Sequence, residues 1–187
     1  FFLFKASKVN MCKNYIKFLI TITAILSICF SFTTSPFAGP EIFFYDGATI
    51  TQLTDNDDYD SFPQINNSGE VVWYGKDGND DEIFYHDGTT ITQLTDNDYR
   101  DGSPQINDSG EVVWIGYVVY MKGEIFFYDG TTITQLTGNY SQGEFPQINN
   151  IGEVVWRGSD GNDFEIYFYD GTNIIQLTDN DYSDSSP

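Results

Sequence analysis

The sequence predicts an all-β fold: a β-propeller of four-stranded antiparallel blades, with about three and a half blades present. Three observations predict it. A unit of 41 or 42 residues recurs, turn signals cut each unit into four short strands, and nothing beyond residue 40 shows helical periodicity. Glu41, Glu82, Glu124 and Glu165 open the repeated apolar run at steps of 41, 42 and 41. Pro63, Pro104, Pro146 and Pro187 keep those steps, as do Trp73, Trp114 and Trp156.

Within a unit, strand a is expected to be short and to open with proline (PQIN at 63–66, 104–107 and 146–149), where no ladder donor is lost. Asn67-Ser68-Gly69 and its equivalents turn the chain into strand b, EVVW. A loop leads to strand c, EIFFY, whose unbroken apolar run suits a strand buried on both faces. Asp46-Gly47, Asp87-Gly88, Asp129-Gly130 and Asp170-Gly171 then signal hairpins with both turn residues at positive φ. Strand d, TTITQLT, mixes Thr and Gln with Ile and Leu, as an outer strand does. This phase gives a half blade at 41–62 and blades at 63–103, 104–145 and 146–186. A β-solenoid is the rival, but its coils are shorter and need no Asp-Gly hairpins. Propellers close with roughly four to eight blades, so an open arc or fragment is expected, with edges that invite pairing with another chain.

The repeat resembles the TolB-type, WD-repeat-like propeller family. Its residues Pro63-Gln64-Ile65-Asn66-Asn67-Ser68-Gly69 have the length of that family's Pro-x-Trp-Ser-Pro-Asp-Gly segment and keep its terminal Pro and Gly. Glu165 to Gly171 and Leu177-Thr178 match its Glu-Ile-Tyr, Asp, Gly and Leu-Thr positions, and the resemblance covers residues 41–187. It implies a propeller fold, and functions that range from periplasmic scaffold to gating domain of a peptidase.

Residues 1–39 read differently. Met11 is expected to be the true start, with 1–10 as upstream translation. Lys13 and Lys17 precede the uncharged run 18–32, and small, turn-prone residues follow to Gly39: the layout of a signal peptide, or of an uncleaved anchor. Residues 40–187 are therefore expected to be exported, to a periplasm, a cell surface or the medium. Cys12 and Cys29 both lie in the leader, which leaves the repeats without a disulfide or a thiolate ligand.

All 28 acidic residues lie in 41–187, against Lys76, Arg100, Lys122 and Arg157, a formal charge of −24. Such a surface repels nucleic acid and anionic membranes and favours cations or basic partners. The acids concentrate in the d-to-a connections (55–60, 96–101, 179–184) and the b–c loops (76–81, 159–163), which emerge on one face of an antiparallel blade. Neighbouring carboxylates within a Debye length of about 8 Å repel unless bridged. Asp77, Asn79, Asp80 and Asp81 are the densest set and the candidate Ca²⁺ ligands. The competing reading is that Asp, Asn and Gly are turn residues on a solubilising surface. No other cofactor is expected.

Nothing points to catalysis. His86, the single histidine, stands where the other units have Tyr45, Tyr128 and Tyr169, so it reads as packing. The once-per-blade tryptophans read as inter-blade core. Gln64, Asn66, Gln105, Asn107, Gln147 and Asn149 are expected to line the central channel. The largest break in symmetry falls in the blade at 104–145, whose b–c loop is YVVYMKG and whose next connection is GNYSQGE. Tyr117, Val118, Val119, Tyr120, Met121 and Tyr140 are therefore the candidate partner-binding patch. The alternative is a longer b–c hairpin that buries its own apolar residues. The expected function is an exported, non-catalytic module that binds or scaffolds a protein or glycan. The alternatives are the propeller of a larger enzyme and a Ca²⁺-stabilised adhesin.

Overall fold

The structure, a computed structural model, describes residues 39–187 except 120, 121, 139 and 140. The leader expectation for residues 11–39 thus lies almost wholly outside the described residues. The described residues form fourteen strands and no helix. A two-stranded sheet holds β1 (Phe43–Tyr45) and β2 (Ile50–Gln52). Three four-stranded sheets follow. The first is β3 (Asp60–Ile65), β4 (Val71–Lys76), β5 (Asp81–His86) and β6 (Ile91–Gln93). The second is β7 (Asp101–Ile106), β8 (Val112–Val119), β9 (Lys122–Tyr128) and β10 (Ile133–Gln135). The third is β11 (Glu144–Ile148), β12 (Val154–Ser159), β13 (Phe164–Tyr169) and β14 (Ile174–Gln176). Every sheet is an antiparallel meander in chain order and stays open rather than closing on itself. These are the half blade and three blades that the repeat predicts.

Strand a departs from expectation. It begins at Asp60, Asp101 and Glu144, ahead of the proline, so a blade boundary at Pro63 or Pro104 cuts through a strand. The proline sits inside the strand, at a bulge. Ser61 pairs with Tyr74 and Gln64 with Val72, which leaves Phe62 and Pro63 opposite the single residue Trp73. The same two-against-one register sets Ser103–Pro104 against Trp114, and Phe145–Pro146 against Trp156. The residues before the prolines, Phe62, Ser103 and Phe145, hold φ of 52°, 54° and 52°. The bulge is where the ladder skips a bond, so proline's missing N–H costs nothing there.

The Asp-Gly hairpins also form differently. Only the glycine takes positive φ, at 96°, 93°, 94° and 92° for Gly47, Gly88, Gly130 and Gly171. The glycine is the first central residue of its turn, the type II′ position, and the aspartate precedes it. Asp87 Oδ1 accepts the N–H groups of Thr89 and Thr90 at 2.8 and 2.7 Å, an Asx cap in place of a second positive φ. Strand d is only three residues long and exposed throughout. The Leu-Thr pair after it prolongs the pairing: Leu94 N–H donates to Ile83 O at 2.7 Å, and Thr95 Oγ1 accepts Ile83 N–H at 2.8 Å.

Each tryptophan is buried against the blade before it. Trp114 packs with Val72 and Ile83 of the preceding sheet, Trp156 with Val113 and Ile125, and Trp73 with Ile42 of the half blade. Each also stacks on a strand-c ring of its own blade: Phe84, Phe126 and Tyr167, at centroid distances of 5.9, 5.8 and 5.9 Å. Burying a tryptophan removes about 150–250 Å² from water, so these three rings are the main cement between blades. His86 is buried as expected of a packing residue: its Nδ1 accepts Gly88 N–H at 3.3 Å, and its ring tilts against Phe44.

Candidate functional site

Each b–c loop and d-to-a connection of a blade meet at the glutamate that begins strand c. Glu82 Oε1 accepts the N–H of Asn97 at 2.9 Å, and Glu165 Oε1 that of Asn180 at 3.0 Å. Asn97 in turn holds its connection in shape. Its Oδ1 accepts Tyr99 N–H at 2.9 Å and its Nδ2 donates to Asp101 Oδ2 at 2.8 Å. The last aspartate of the connection is thus the first residue of strand a, and Asp60 and Asp101 are buried there, not solvated. Asp60 Oδ1 accepts the indole N–H of Trp73. The chain is complete in Glu41–Asn56–Asp60–Trp73, which ties the acidic face to the apolar core.

The b–c turns of the first and third blades are built like the c–d turns. Gly78 and Gly161 have φ of 107° and 105°, and Asp77 and Asp160 accept the N–H groups of Asn79 and Asn162 at 2.9 and 2.7 Å. Of the four candidate Ca²⁺ ligands, the structure brings Asp77 and Asp80 together. Asn79 contributes its backbone N–H to the turn. Asp81 is turned away: it pairs with Arg100 at 2.6 Å, and its place in the acidic group is taken by Glu82. Alternation along β5 is the reason, since Asp81 and Glu82 point to opposite faces. Carboxylate oxygens of Asp77, Asp80 and Glu82 lie within 4.8 Å of one another, as do those of Asp160, Asp163 and Glu165. Burial pushes the carboxyls of Glu82, Asp101 and Asp163 above the ordinary range, and neighbouring carboxylates push Glu82 and Asp163 further the same way. Beside the first group, an open cleft of about 500 Å³ is lined by Tyr59, Tyr74, Lys76, Asp81 and Arg100, a mixed-charge surface without an acid–base pair set apart in it.

In the middle blade the b–c hairpin is longer. β8 runs eight residues and β9 seven, against six for their counterparts, so much of YVVYMKG is strand and not loop. Val118 packs against the cluster around Trp114, while Tyr117 is 37% exposed. Tyr120, Met121 and Tyr140 lie outside the described residues, as does the side chain of Val119. Val118 is thus half-buried against the core cluster, because the extended strand carries it there. The hairpin is anchored on both sides: Tyr117 N–H donates to Arg100 O at 2.8 Å and Gly143 N–H to Gly123 O at 2.6 Å.

The expected channel residues are committed elsewhere. Asn66 and Asn107 are buried. The Asn107 amide accepts the N–H groups of Ser109 and Glu111 and donates to Glu111 and to Asn149 O in the next blade, the last at 2.9 Å. Asn66 does the same toward Asn107 O at 2.9 Å. These amides stitch blades together and have no group left for a ligand. Asn149 is exposed, and Gln64, Gln105 and Gln147 donate to the carbonyl of the proline beside them. The buried glutamates were the functional feature missed from sequence. Their signal was a charged residue opening an apolar strand in every repeat.

No family model matches the chain, and no curated protein matches it. Solved structures do. The β-propeller domain of the Trilobed protease from Pyrococcus furiosus, which has an open velcro topology, superposes with a TM-score of 0.57 at 19% identity, over 75% of this chain and 44% of that one. The acylaminoacyl peptidase of Pyrococcus horikoshii gives 0.57 at 18% identity, over 77% of this chain and 23% of that one. A TolB structure from Agrobacterium tumefaciens gives 0.53 at 20% identity, over 77% and 58%. The chain spans less than two thirds of the length of each. The class so defined is the β-propeller; at these identities the likeness is one of fold.

Proposed function

We propose that the chain is an exported, non-catalytic propeller module that binds a protein or glycan through the acid-poor loops of its middle blade, which the acidic loops of its neighbours rim. The observation that carries this reading is the β8–β9 hairpin. It extends beyond its counterparts, is tied to the connections on both sides, and presents Tyr117 among acidic loops. A pre-anchored aromatic side chain loses little freedom on binding, and tyrosine is enriched at interface cores. The acidic surroundings favour a partner with basic groups and disfavour nucleic acid and anionic membranes. Export rests on the leader-like residues 11–39. Replacement of Tyr117, Tyr120 and Met121 by Ser, followed by pull-down from envelope extract and a glycan array, is expected to lose the captured partner. An unchanged set of partners would overturn the reading.

A second reading is favoured by the likeness to peptidase propellers: a domain that gates or presents substrate to a catalytic domain on the same polypeptide. The reading frame beyond Pro187 separates the two. Further repeats favour the binding module, and a region with its own nucleophile motif favours the enzyme.

A further inference from the structure

We propose that the b–c turns of the first and third blades are divalent-cation sites of the Ca²⁺ class, built on the buried glutamates Glu82 and Glu165 with Asp77 and Asp80, and Asp160 and Asp163. This goes beyond the partner-binding reading and does not depend on it. In the third blade, Glu165 has no exposed surface; its Oε1 is taken by Asn180 N–H, and its Oε2 is buried without a donor. Asp163 Oδ1, in the same group, is also buried without a donor. A buried carboxylate oxygen needs a hydrogen-bond donor, a proton or a cation. The oxygens of Asp160, Asp163 and Glu165 lie within 4.8 Å of one another. Oxygens about 2.3–2.6 Å from one Ca²⁺ are at most about 5 Å apart, so a single ion can bridge all three. Asp160 keeps its turn in shape through Oδ1, which accepts Asn162 N–H at 2.7 Å and Asp163 N–H at 3.2 Å.

The first blade repeats the arrangement with Asp77, Asp80 and Glu82, and there Asp80 Oδ1 is the buried oxygen without a donor. The middle blade is a control within the same molecule. It has lost the turn acids, and Glu124, 2% exposed, has its Oε2 served by hydroxyls, Thr137 Oγ1 at 2.5 Å and Ser141 Oγ at 2.9 Å. Ser141 belongs to the neutral connection peculiar to that blade. Where the turn acids are absent, Ser141 adds a hydroxyl donor. In the third blade, where they are present, Glu165 Oε2 lacks such a donor, while Glu82 Oε2 in the first blade keeps a long bond from Asn97 Nδ2 at 3.4 Å.

The test is calorimetric titration of the whole chain with CaCl₂ after chelation, with thermal melts in parallel. The expected result is two Ca²⁺ per chain and a Tm that rises with Ca²⁺. Glu165→Gln is expected to leave one site. Asp160→Asn, which retains the Oδ1 acceptor that the turn needs and so guards against misfolding, is also expected to leave one. Glu124→Gln is expected to leave two. Absence of heat with an unchanged Tm at millimolar Ca²⁺ would overturn the proposal in favour of a proton shared between carboxyls. So would a count of two that survives both Glu165→Gln and Asp160→Asn.

Discussion

The indole N–H of Trp73 donates to Asp60 Oδ1 at 3.1 Å, and both residues are buried. The bond joins strand b to the first residue of strand a across the bulge that Phe62 and Pro63 create opposite Trp73. In the next blade Trp114 and Asp101 are equally buried and interact in the same way. Trp73→Phe and Trp114→Phe are therefore both expected to destabilise. Each change strands a buried carboxylate oxygen, at roughly 1–3 kcal/mol. A fall in the urea midpoint of both variants checks it.

Gly75 lies against the same carboxylate. A Cβ there would stand 2.0 Å from Asp60 Oδ1. Gly75→Ala is expected to displace Asp60 and to destabilise by about 1–3 kcal/mol, the usual range for overpacking. The urea midpoint is expected to fall, with tryptophan fluorescence altered in the native baseline.

Asn107→Ala is expected to loosen the third blade from the second. Its amide donates to Asn149 O, beside the bonds between Asp108 and Asn150, and it also satisfies two backbone N–H groups of its own turn. Loss of a buried amide of this kind costs roughly 1–3 kcal/mol. Hydrogen exchange is expected to quicken in β11 and β12 more than in β4 and β5. Equal acceleration in both blades would speak against a hinge role for Asn107.

The turn aspartates set an acid limb. Backbone and hydroxyl donors of Thr90 and Thr89 hold the Asp87 carboxyl well below the usual range, and those of Thr131 and Thr132 do so for Asp129. A folded-state value below the unfolded one gives stability that is present above the unfolded value, near 3.8, and is lost as pH falls through the folded value. Asn at both positions keeps the oxygen acceptor but not the charge. The Asp87→Asn, Asp129→Asn protein is expected to melt below wild type at neutral pH, with the gap closing as pH drops below about 4. Melting curves across pH check it.

Val118 and Tyr117 are neighbours with different surroundings. Val118→Ser is expected to destabilise by about 1–2 kcal/mol, because Val118 packs on the Trp114 cluster. Tyr117→Ser is expected to change stability by no more than about 0.5 kcal/mol, as for a surface position. Thermal melts of the two variants separate a packing residue from an exposed one.

Much of the fold was legible because repetition exposes it. Four copies of Glu-Ile followed by Asp-Gly and Leu-Thr mark strand c, its hairpin and the end of strand d, and the tryptophan spacing marks the blade core. The bulge at Phe62–Pro63 was not legible, since proline's lack of a donor fits the first residue of a strand as well as a skipped ladder bond. The acidic group was half legible. Asp77 and Asp80 stood out as turn acids, whereas Glu82 looked like part of strand c and Asp81 like part of the cluster.

By itself the sequence determined the number of strands, their antiparallel order, the blade period and the one blade that differs, because turn chemistry and alternating burial are local and repeat every 41 or 42 residues. Only the tertiary structure decided which charges are buried. The sequence set Asp60, Asp101, Glu82 and Glu165 among many exposed acids, and it set Asn66 and Asn107 in an apparent channel. Their burial depends on how one blade stacks against the next and where the connection after strand d folds back onto strand c. Those contacts join residues from 15 to 42 positions apart, which no local pattern encodes.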